Sequence, residues 1–240
     1  MLKKRLVEYG VHEEKIHVLP VGFDIKEFTS GLDDEPNNVR GKLGLTTEDF
    51  VITYFGSPFT IRGTETLIRS VYILKKRLKK LRCIILSRTD SFLERKENEY
   101  LSSLINRFSL SDVIHLITGV LSRDQVKKYI SASDIVVLPF KIVQSEPPLS
   151  ILESMALGKP VITTLTCGLH ELVTPDRGLL VKPNDVKDLA LAIYKLAKNP
   201  KRRAEIGRSA KEFASKLPSW DFVAKLYEHF FENLLIRYPR

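Results

Sequence analysis

The chain has 240 residues, 43% of them hydrophobic, which predicts a globular protein with one large α/β domain, alone or with appendages. Its 38 Lys and Arg exceed its 29 Asp and Glu, so the formal net charge is +9. Two cysteines without zinc spacing exclude a disulfide framework and fit a reducing cytosol, and no apolar run reaches the roughly 18–20 residues of a membrane span.

The basic excess lies in three predicted surface clusters, at residues 3–5, 75–82 and 198–203. Solvated helix faces are the simplest interpretation. The clusters could also favour an anionic membrane surface or help to steer an anionic nucleotide. We do not expect nucleic acid as a partner, because no aromatic residues interleave with the basic ones.

The first 49 residues show no regular alternation of strands and helices. A helix over residues 1–9 ends at Gly10, a short strand is predicted over 15–20, and the polar, Pro- and Gly-containing residues 31–38 predict a loop. The N-terminus lacks the apolar core of a signal peptide and resembles the end of a helix.

From Phe50 onward, short apolar strands alternate with amphipathic helices, which predicts a Rossmann-like parallel sheet covered by helices on both faces. The predicted strands cover residues 51–55, 83–86, 113–117, 135–138, 161–164 and 179–181. The predicted helices cover residues 64–80, 93–108, 122–131, 149–157, 185–198, 200–216 and 219–236. The last helix has a wide apolar face that needs a surface to lie against.

Ligands bind at the carboxyl ends of strands in such a sheet, where loops of this chain converge. In the first loop, Gly56 lets the backbone approach a ligand and Arg62 offers a fork of donors to a phosphate. In the second, Val120 and Leu121 can flank a flat base. Each loop alone is also compatible with an ordinary turn.

The third loop is the most informative, because the Pro-rigid residues 145–148 lead directly into a predicted helix. Free backbone N–H groups at a helix start, from Leu149 to Ile151, form a site for phosphate. Glu153, one turn later, is flanked by apolar residues, and we expect it to be buried and to bind ribose hydroxyls.

A fourth loop follows the next strand. Gly168 and its neighbours can cover a sugar, whereas His170 is as compatible with a surface residue. The other histidines show no ligand spacing, and no Asp-x-Asp pair is placed to hold a metal at a diphosphate. We therefore expect neither a metal nor another cofactor.

Five segments in order resemble the C-terminal domain of the retaining GT-B enzymes of the glycosyl transferases group 1 family. They are KIHVLPVGFDIKEF, YFGSPFTIRG, ASDIVVLPF, PPLSILESMALGKPVITT and GLLVKPNDVKDLALAI. The resemblance covers the chain from about Lys15 to its end. It implies a glycosyltransferase that moves a sugar from a nucleotide-sugar, UDP- or GDP-linked, to an acceptor with retention of configuration.

The resemblance also assigns roles at matching positions. Arg62 takes the place of the lysine that binds the donor diphosphate, and Glu153 that of the glutamate that binds its ribose. The donor-binding set is Gly56, Ser57, Arg62, Val120, Leu121, Ser145, Glu146, Leu149, Ser150, Ile151 and Glu153, in which Arg62 and Glu146 are assigned to catalysis. Two positions depart from the family pattern: Ser57 stands where an arginine is usual, and Ser145 where the first glutamate of a pair is usual, with Glu146 one residue late.

The family also uses an N-terminal domain that supplies the acceptor site. We expect residues 1–40 to be a linker from such a domain, 41–218 the nucleotide-sugar-binding domain, and 219–240 a helix that crosses back to the other domain. An N-terminal acceptor domain or a partner chain would complete a cytoplasmic enzyme, with peripheral membrane contact. A non-catalytic binding subunit is the main alternative, and a nucleotide-sugar epimerase, which shares the fold, is a weaker one.

Overall fold

The structure, a computed structural model of the chain, describes residues 2–32, 35–143 and 147–237. Within these residues a six-stranded sheet has the order β3-β2-β1-β4-β5-β6, and every neighbouring pair is parallel. The strands are β1 Phe50–Gly56, β2 Leu81–Ser87, β3 Ile114–Thr118, β4 Ile135–Leu138, β5 Val161–Thr164 and β6 Gly178–Val181. The predicted Rossmann-like sheet is therefore confirmed.

Eleven α-helices lie among the described residues. They are α1 Leu2–Glu8, α2 Ile25–Thr29, α3 Glu35–Lys42, α4 Thr64–Lys75, α5 Phe92–Arg107, α6 Arg123–Ser131, α7 Leu149–Ala156, α8 Leu169–Leu172, α9 Val186–Lys198, α10 Pro200–Ser215 and α11 Trp220–Arg237. Helices α5, α4 and α9 contact one another in that order, while α10 packs on α7 and α3 packs on α6. Because consecutive crossovers are right-handed, the sheet has a helical layer on each face.

Burial on both faces explains why the strands read as continuous apolar runs. All four residues of β4 and of β5 are buried, and most of β1 and β2 is buried as well. Side-chain caps mark the starts of α6 and α9: the Ser122 hydroxyl accepts a hydrogen bond from the backbone N–H of Gln125, and the Asp185 carboxylate accepts one from the backbone N–H of Asp188. Alternating apolar runs and caps thus fix where most elements begin.

The order in which strands are added to the sheet reverses between β1 and β4. These two strands are parallel neighbours although three crossovers separate them in sequence. The chain runs outward from β1 to β3 on one side and from β4 to β6 on the other. The carboxyl ends of the strands beside this switch point are where parallel α/β sheets bind their ligands.

Three local predictions are wrong. Residues 15–20 form no strand: Lys15 ends a single 3₁₀ turn, and His17 contacts Phe230 of α11 instead of a neighbouring strand, with ring centroids 4.7 Å apart. The predicted loop over 31–38 gives way to α3, whose first turn accommodates Pro36 because prolines fit helix starts. Helix α4 ends at Lys75 rather than at residue 80, since the chain turns there into β2.

Helix α11 packs on its own domain at its start. The Pro218 carbonyl accepts the Phe23 amide at 2.8 Å, and a Cβ atom at Gly22 would lie 2.6 Å from the Trp220 ring. Val223 is buried, whereas five large side chains of the helix stay exposed: Trp220, Phe222, Tyr227, Phe231 and Leu235. The predicted crossing to a second domain, and the predicted domain boundaries, stay predictions.

Within the described ranges, no helix combines the length and the apolar character that crossing a bilayer requires.

Candidate functional site

A cavity of about 380 Å³ opens at the carboxyl ends of β1, β2 and β3. It is lined by Phe55, Gly56, Leu86, Ser87, Arg88, Gly119, Val120, Leu121 and Val126. Three of the predicted donor-binding residues, Gly56, Val120 and Leu121, thus lie around one space. The walls are mainly apolar, and Val120 is 69% exposed at the mouth. Such a slot suits a flat heterocycle with backbone groups at its edge.

The floor of the cavity is held by a buried side chain on α5. The Asn98 amide donates to the Arg88 carbonyl at 3.0 Å and to the Thr89 hydroxyl at 2.7 Å. Its oxygen lies within hydrogen-bonding distance of the Ser87 hydroxyl. Asn98 is 6% exposed. One side chain therefore fixes the backbone at the carboxyl end of β2.

The loop after β1 carries Ser57 and Arg62. The Tyr54 hydroxyl donates to the Ser57 carbonyl at 2.6 Å, and burial raises the pKa of Tyr54 to about 12. The Arg62 guanidinium lies 5.3 Å from the centre of the Phe140 ring. Neither an ion pair nor a hydrogen bond joins the Arg62 side chain to the described part of the chain. Its charge is thus uncompensated there and available to an anion.

The loops after β1 and β4 are joined by their backbones. The Ile61 carbonyl accepts from the Lys141 amide at 2.8 Å and from the Ile142 amide at 3.3 Å. Two buried hydroxyls of β5 hold the end of β4 and the loop that follows it: Thr163 donates to the carbonyl of Leu138, the last residue of β4, and Thr164 donates to the Phe140 carbonyl. The loop that carries Arg62 is thereby fixed against the segment that leads towards α7.

Ser145 and Glu146 lie outside the described residues, so their predicted roles remain predictions.

The start of α7 departs from the prediction at one residue. The Ile151 N–H donates to the Pro148 carbonyl at 3.0 Å, so it is occupied within the helix start and is not free for a phosphate. No side chain caps this end. The N–H groups of Leu149 and Ser150 belong to the first turn, where helices leave amides unpaired. The predicted phosphate site therefore has two amide donors rather than three.

Glu153 borders a second, narrow cavity together with Leu149, Arg123 and Trp220. It is half-buried rather than fully buried, because Leu149 beside it is 40% exposed and leaves one side open. Burial raises the pKa of the Glu153 carboxyl, and the nearby Arg123 charge opposes that shift. Arg123 also lies 3.3 Å from a Glu27 carboxylate oxygen. The carboxylate thus faces a polar cleft beside the start of α7.

The fourth loop contains the short helix α8, which was not predicted, and exposed His170 lies on it. Across the described ranges, no three His, Cys, Asp or Glu side chains are grouped closely enough to hold a metal ion.

Sequence reasoning missed the loop after β2 and the side chains that border Glu153. Ser87 and Arg88 form one wall of the larger cavity and are held by hydrogen bonds from Asn98, whereas Arg123 stands at the start of α6 beside Glu153. The sequence contained a signal for Ser87 and Arg88, since these polar residues directly follow a predicted apolar strand. For Arg123 the sequence offered no signal, because 30 residues separate it from Glu153.

The strand order and the cavity at the carboxyl ends of β1 to β3 define a Rossmann-like domain of the kind found in GT-B glycosyltransferases. A solved structure of a protein from Anabaena, in complex with UDP and glucose, matches with a TM-score of 0.79 at 22% identity. The match covers 97% of this chain and 60% of that one. At this level of identity the similarity establishes the fold alone.

The sequence model of the glycosyl transferases group 1 family matches residues 36–213, and the chain belongs to that family. A D-inositol 3-phosphate glycosyltransferase from Corynebacterium jeikeium is 29% identical over 221 residues, 91% of this chain. A GDP-mannose-dependent monoacylated alpha-(1-6)-phosphatidylinositol monomannoside mannosyltransferase from Corynebacterium glutamicum is 27% identical over 224 residues, 90% of this chain. The chain spans about half of each relative, 52% and 56% of their lengths.

Proposed function

We propose that the chain is the donor-binding domain of a retaining glycosyltransferase that uses a UDP- or GDP-linked sugar. The observation that carries the proposal is the apolar cavity at the carboxyl ends of β1 to β3, with Gly56, Val120 and Leu121 in its wall. The family match and a relative structure that contains UDP and glucose support it.

The reaction needs stabilisation of the diphosphate as it leaves the sugar. Arg62 would supply a full positive charge, and the amides of Leu149 and Ser150 would supply the positive end of α7. Glu153 would hold the ribose between the base and the diphosphate. Glu146 is assigned to the sugar. No metal is expected in this scheme, because the guanidinium and the helix start carry the positive charge.

The acceptor site would come from an N-terminal domain of a longer chain or from a partner. A cytoplasmic location with peripheral membrane contact fits a lipid-linked acceptor, since one relative's name specifies a phosphatidylinositol acceptor. Nucleic acid is not part of the proposal. The family match favours a transferase over the non-catalytic binding subunit.

Calorimetry of the chain with UDP, GDP and ADP tests donor binding. We expect one nucleoside diphosphate to bind and the others to bind more weakly. Val120→Glu should abolish that binding, because the new carboxylate at the cavity mouth would repel the negatively charged diphosphate. Val18→Glu is the matched control, because Val18 is 70% exposed and Val120 69%. Absence of binding by all three nucleotides, or equal losses in both variants, would reject the proposal.

Donor hydrolysis then separates an enzyme from a binding subunit. A completed enzyme, with its acceptor domain or partner supplied, should release the sugar from the donor that calorimetry identifies. Tight donor binding without turnover in the completed assembly would favour the non-catalytic alternative.

A further inference from the structure

A basic hollow of about 400 Å³ lies where α4 and α5 end. Lys75, Lys76, Lys79 and Arg107 line it, together with Tyr72 and Phe108. Both helices run back from the carboxyl ends of their preceding strands, so the hollow lies at the amino edge of the sheet. The donor cavity opens at the opposite, carboxyl edge. The hollow is therefore separate from the proposed nucleotide site.

Only one of the four cations has a structural role. The Lys75 ammonium lies 2.7 Å from an Asp112 carboxylate oxygen and donates to the Ser109 carbonyl at 2.7 Å. It thereby compensates the negative end of α4. Lys76, Lys79 and Arg107 are exposed, and no ion pair joins them to a residue of the described ranges. Their mutual repulsion favours an external anion.

The aromatic residues of the hollow fit a lipid interface better than a nucleic acid. Tyr72 is 42% exposed and stacks on Phe108, with ring centroids 4.8 Å apart. The Arg69 guanidinium lies 5.5 Å from the Phe108 ring centre. Phe108 and one face of Tyr72 are therefore engaged within the protein, which leaves little ring surface for the base stacking that single-stranded nucleic acids use. Tyrosine edges beside exposed cations are typical of membrane–water interfaces.

We propose that this hollow binds the headgroups of an anionic membrane surface, with Lys76, Lys79 and Arg107 as the contacting charges. The contact would hold the domain at the bilayer by an edge that leaves the donor cavity open. It does not depend on nucleotide binding, so either proposal can fail without the other.

Co-sedimentation of the full chain with phosphatidylcholine vesicles, with and without phosphatidylserine, tests the proposal. We expect binding only to the anionic vesicles, weakened by salt because surface charges are screened. The triple variant K76Q/K79Q/R107Q should lose on the order of a hundredfold in vesicle affinity, since each basic residue near such a surface contributes about fivefold. Its nucleotide affinity should not change.

A second triple variant, K195Q/K201Q/R208Q, is the matched control. It removes the same charge from exposed positions on α9 and α10 and should keep most of the vesicle binding. Equal losses in both triples would show an effect of net charge alone and overturn the proposal. The proposal would also be overturned if the wild-type chain did not bind anionic vesicles. The same holds if the hollow bound a single-stranded oligonucleotide and no vesicles.

Discussion

The Pro139 carbonyl oxygen occupies the space that a side chain at Gly63 would need. A Cβ atom at position 63 would lie 1.8 Å from that oxygen. Gly63 ends the loop after β1 and caps the start of α4, whereas Pro139 directly follows β4. This contact sets how closely the loop after β1 and the loop after β4 approach each other.

Gly63→Ala should destabilise the fold strongly. The residue has φ of 77°, a left-handed conformation that costs other residues energy, and the new methyl group would also displace the Pro139 backbone. The two effects together should lower the free energy of unfolding by about 2–5 kcal/mol. Urea unfolding followed by circular dichroism measures the loss.

Gly44→Ala is the matched control, since Gly44 has φ of 65° and no atom within 4 Å of its Cβ position. It should lose only the conformational part, about 1–2 kcal/mol. Similar losses of unfolding free energy in the two variants would mean that the clash with the Pro139 carbonyl adds nothing to the cost of Gly63→Ala.

Arg62→Ala should weaken nucleoside diphosphate binding by about 1.5–3 kcal/mol, the scale of a hydrogen bond to a charged group. The affinity for the bare nucleoside should stay the same, because only the diphosphate meets the guanidinium. Calorimetry with both ligands measures the difference. An unchanged diphosphate affinity would remove Arg62 from the site, and a loss for both ligands would indicate a structural effect through Phe140, which the guanidinium overlies.

Glu153→Ala should remove the preference for ribose over deoxyribose. If the carboxylate accepts the ribose hydroxyls, wild-type chain should bind the ribonucleoside diphosphate about 1.5–3 kcal/mol more tightly than its 2′-deoxy analogue. The variant should bind both alike. If the variant keeps the wild-type preference for ribose, Glu153 does not bind the ribose hydroxyls and interacts only with Arg123.

Hydrophobic pattern alone predicted the elements that are buried on both faces. The bounds of β4 and β5 match the prediction, because each is a short run of β-branched and apolar residues that begins directly after a polar residue or a proline. Helix α3 was missed because Pro36 and its polar neighbours resemble a loop, although proline is compatible with a first helical turn.

Contacts between distant residues explain what sequence could not give. Arg40 donates to an Asp134 carboxylate oxygen at 3.1 Å across 94 positions of the chain, and no local pattern marks either residue as the partner of the other. The same holds for Arg123 beside Glu153. Residue identities at the carboxyl ends of strands were informative, because topology alone brings those ends together.

Asn98→Ala should loosen the floor of the donor cavity. The Ser87 and Thr89 hydroxyls and the Arg88 carbonyl would lose their shared partner, so we expect a loss of about 1–3 kcal/mol in unfolding free energy. Nucleotide affinity, measured where the variant is still folded, should fall as well. Asn106→Ala is the control on the same helix: Asn106 is exposed, accepts from Ser111 at 3.0 Å, and should cost less than about 0.5 kcal/mol. If nucleotide affinity is retained, Asn98 supports the fold but not the cavity.

Lys159 gives the protein a specific alkaline pH dependence. Its ammonium donates to the Ser131 and Ser133 carbonyls, both at 2.7 Å, near the amino ends of β4 and β5. Burial lowers the pKa of Lys159 from 10.5 to about 8, against an opposing effect of Asp134. Between these two pH values the unfolded chain binds a proton that the folded chain has released. The free energy of unfolding attributable to Lys159 must therefore rise with pH in this window.

Urea unfolding of wild-type chain and Lys159→Met, at steps from pH 7 to pH 10.5, isolates this contribution. The stability of the wild type relative to the variant should rise by up to about 3 kcal/mol over the window, at about 1.4 kcal/mol per pKa unit. Burial also raises the pKa of Cys83 and Tyr54, which weakens both proteins at high pH alike and cancels in the difference. Lys195→Met, at an exposed position, is the control for the loss of one lysine charge. A difference that stays flat or falls with pH would mean that Lys159 keeps its proton in the fold, held by the two carbonyls and Asp134.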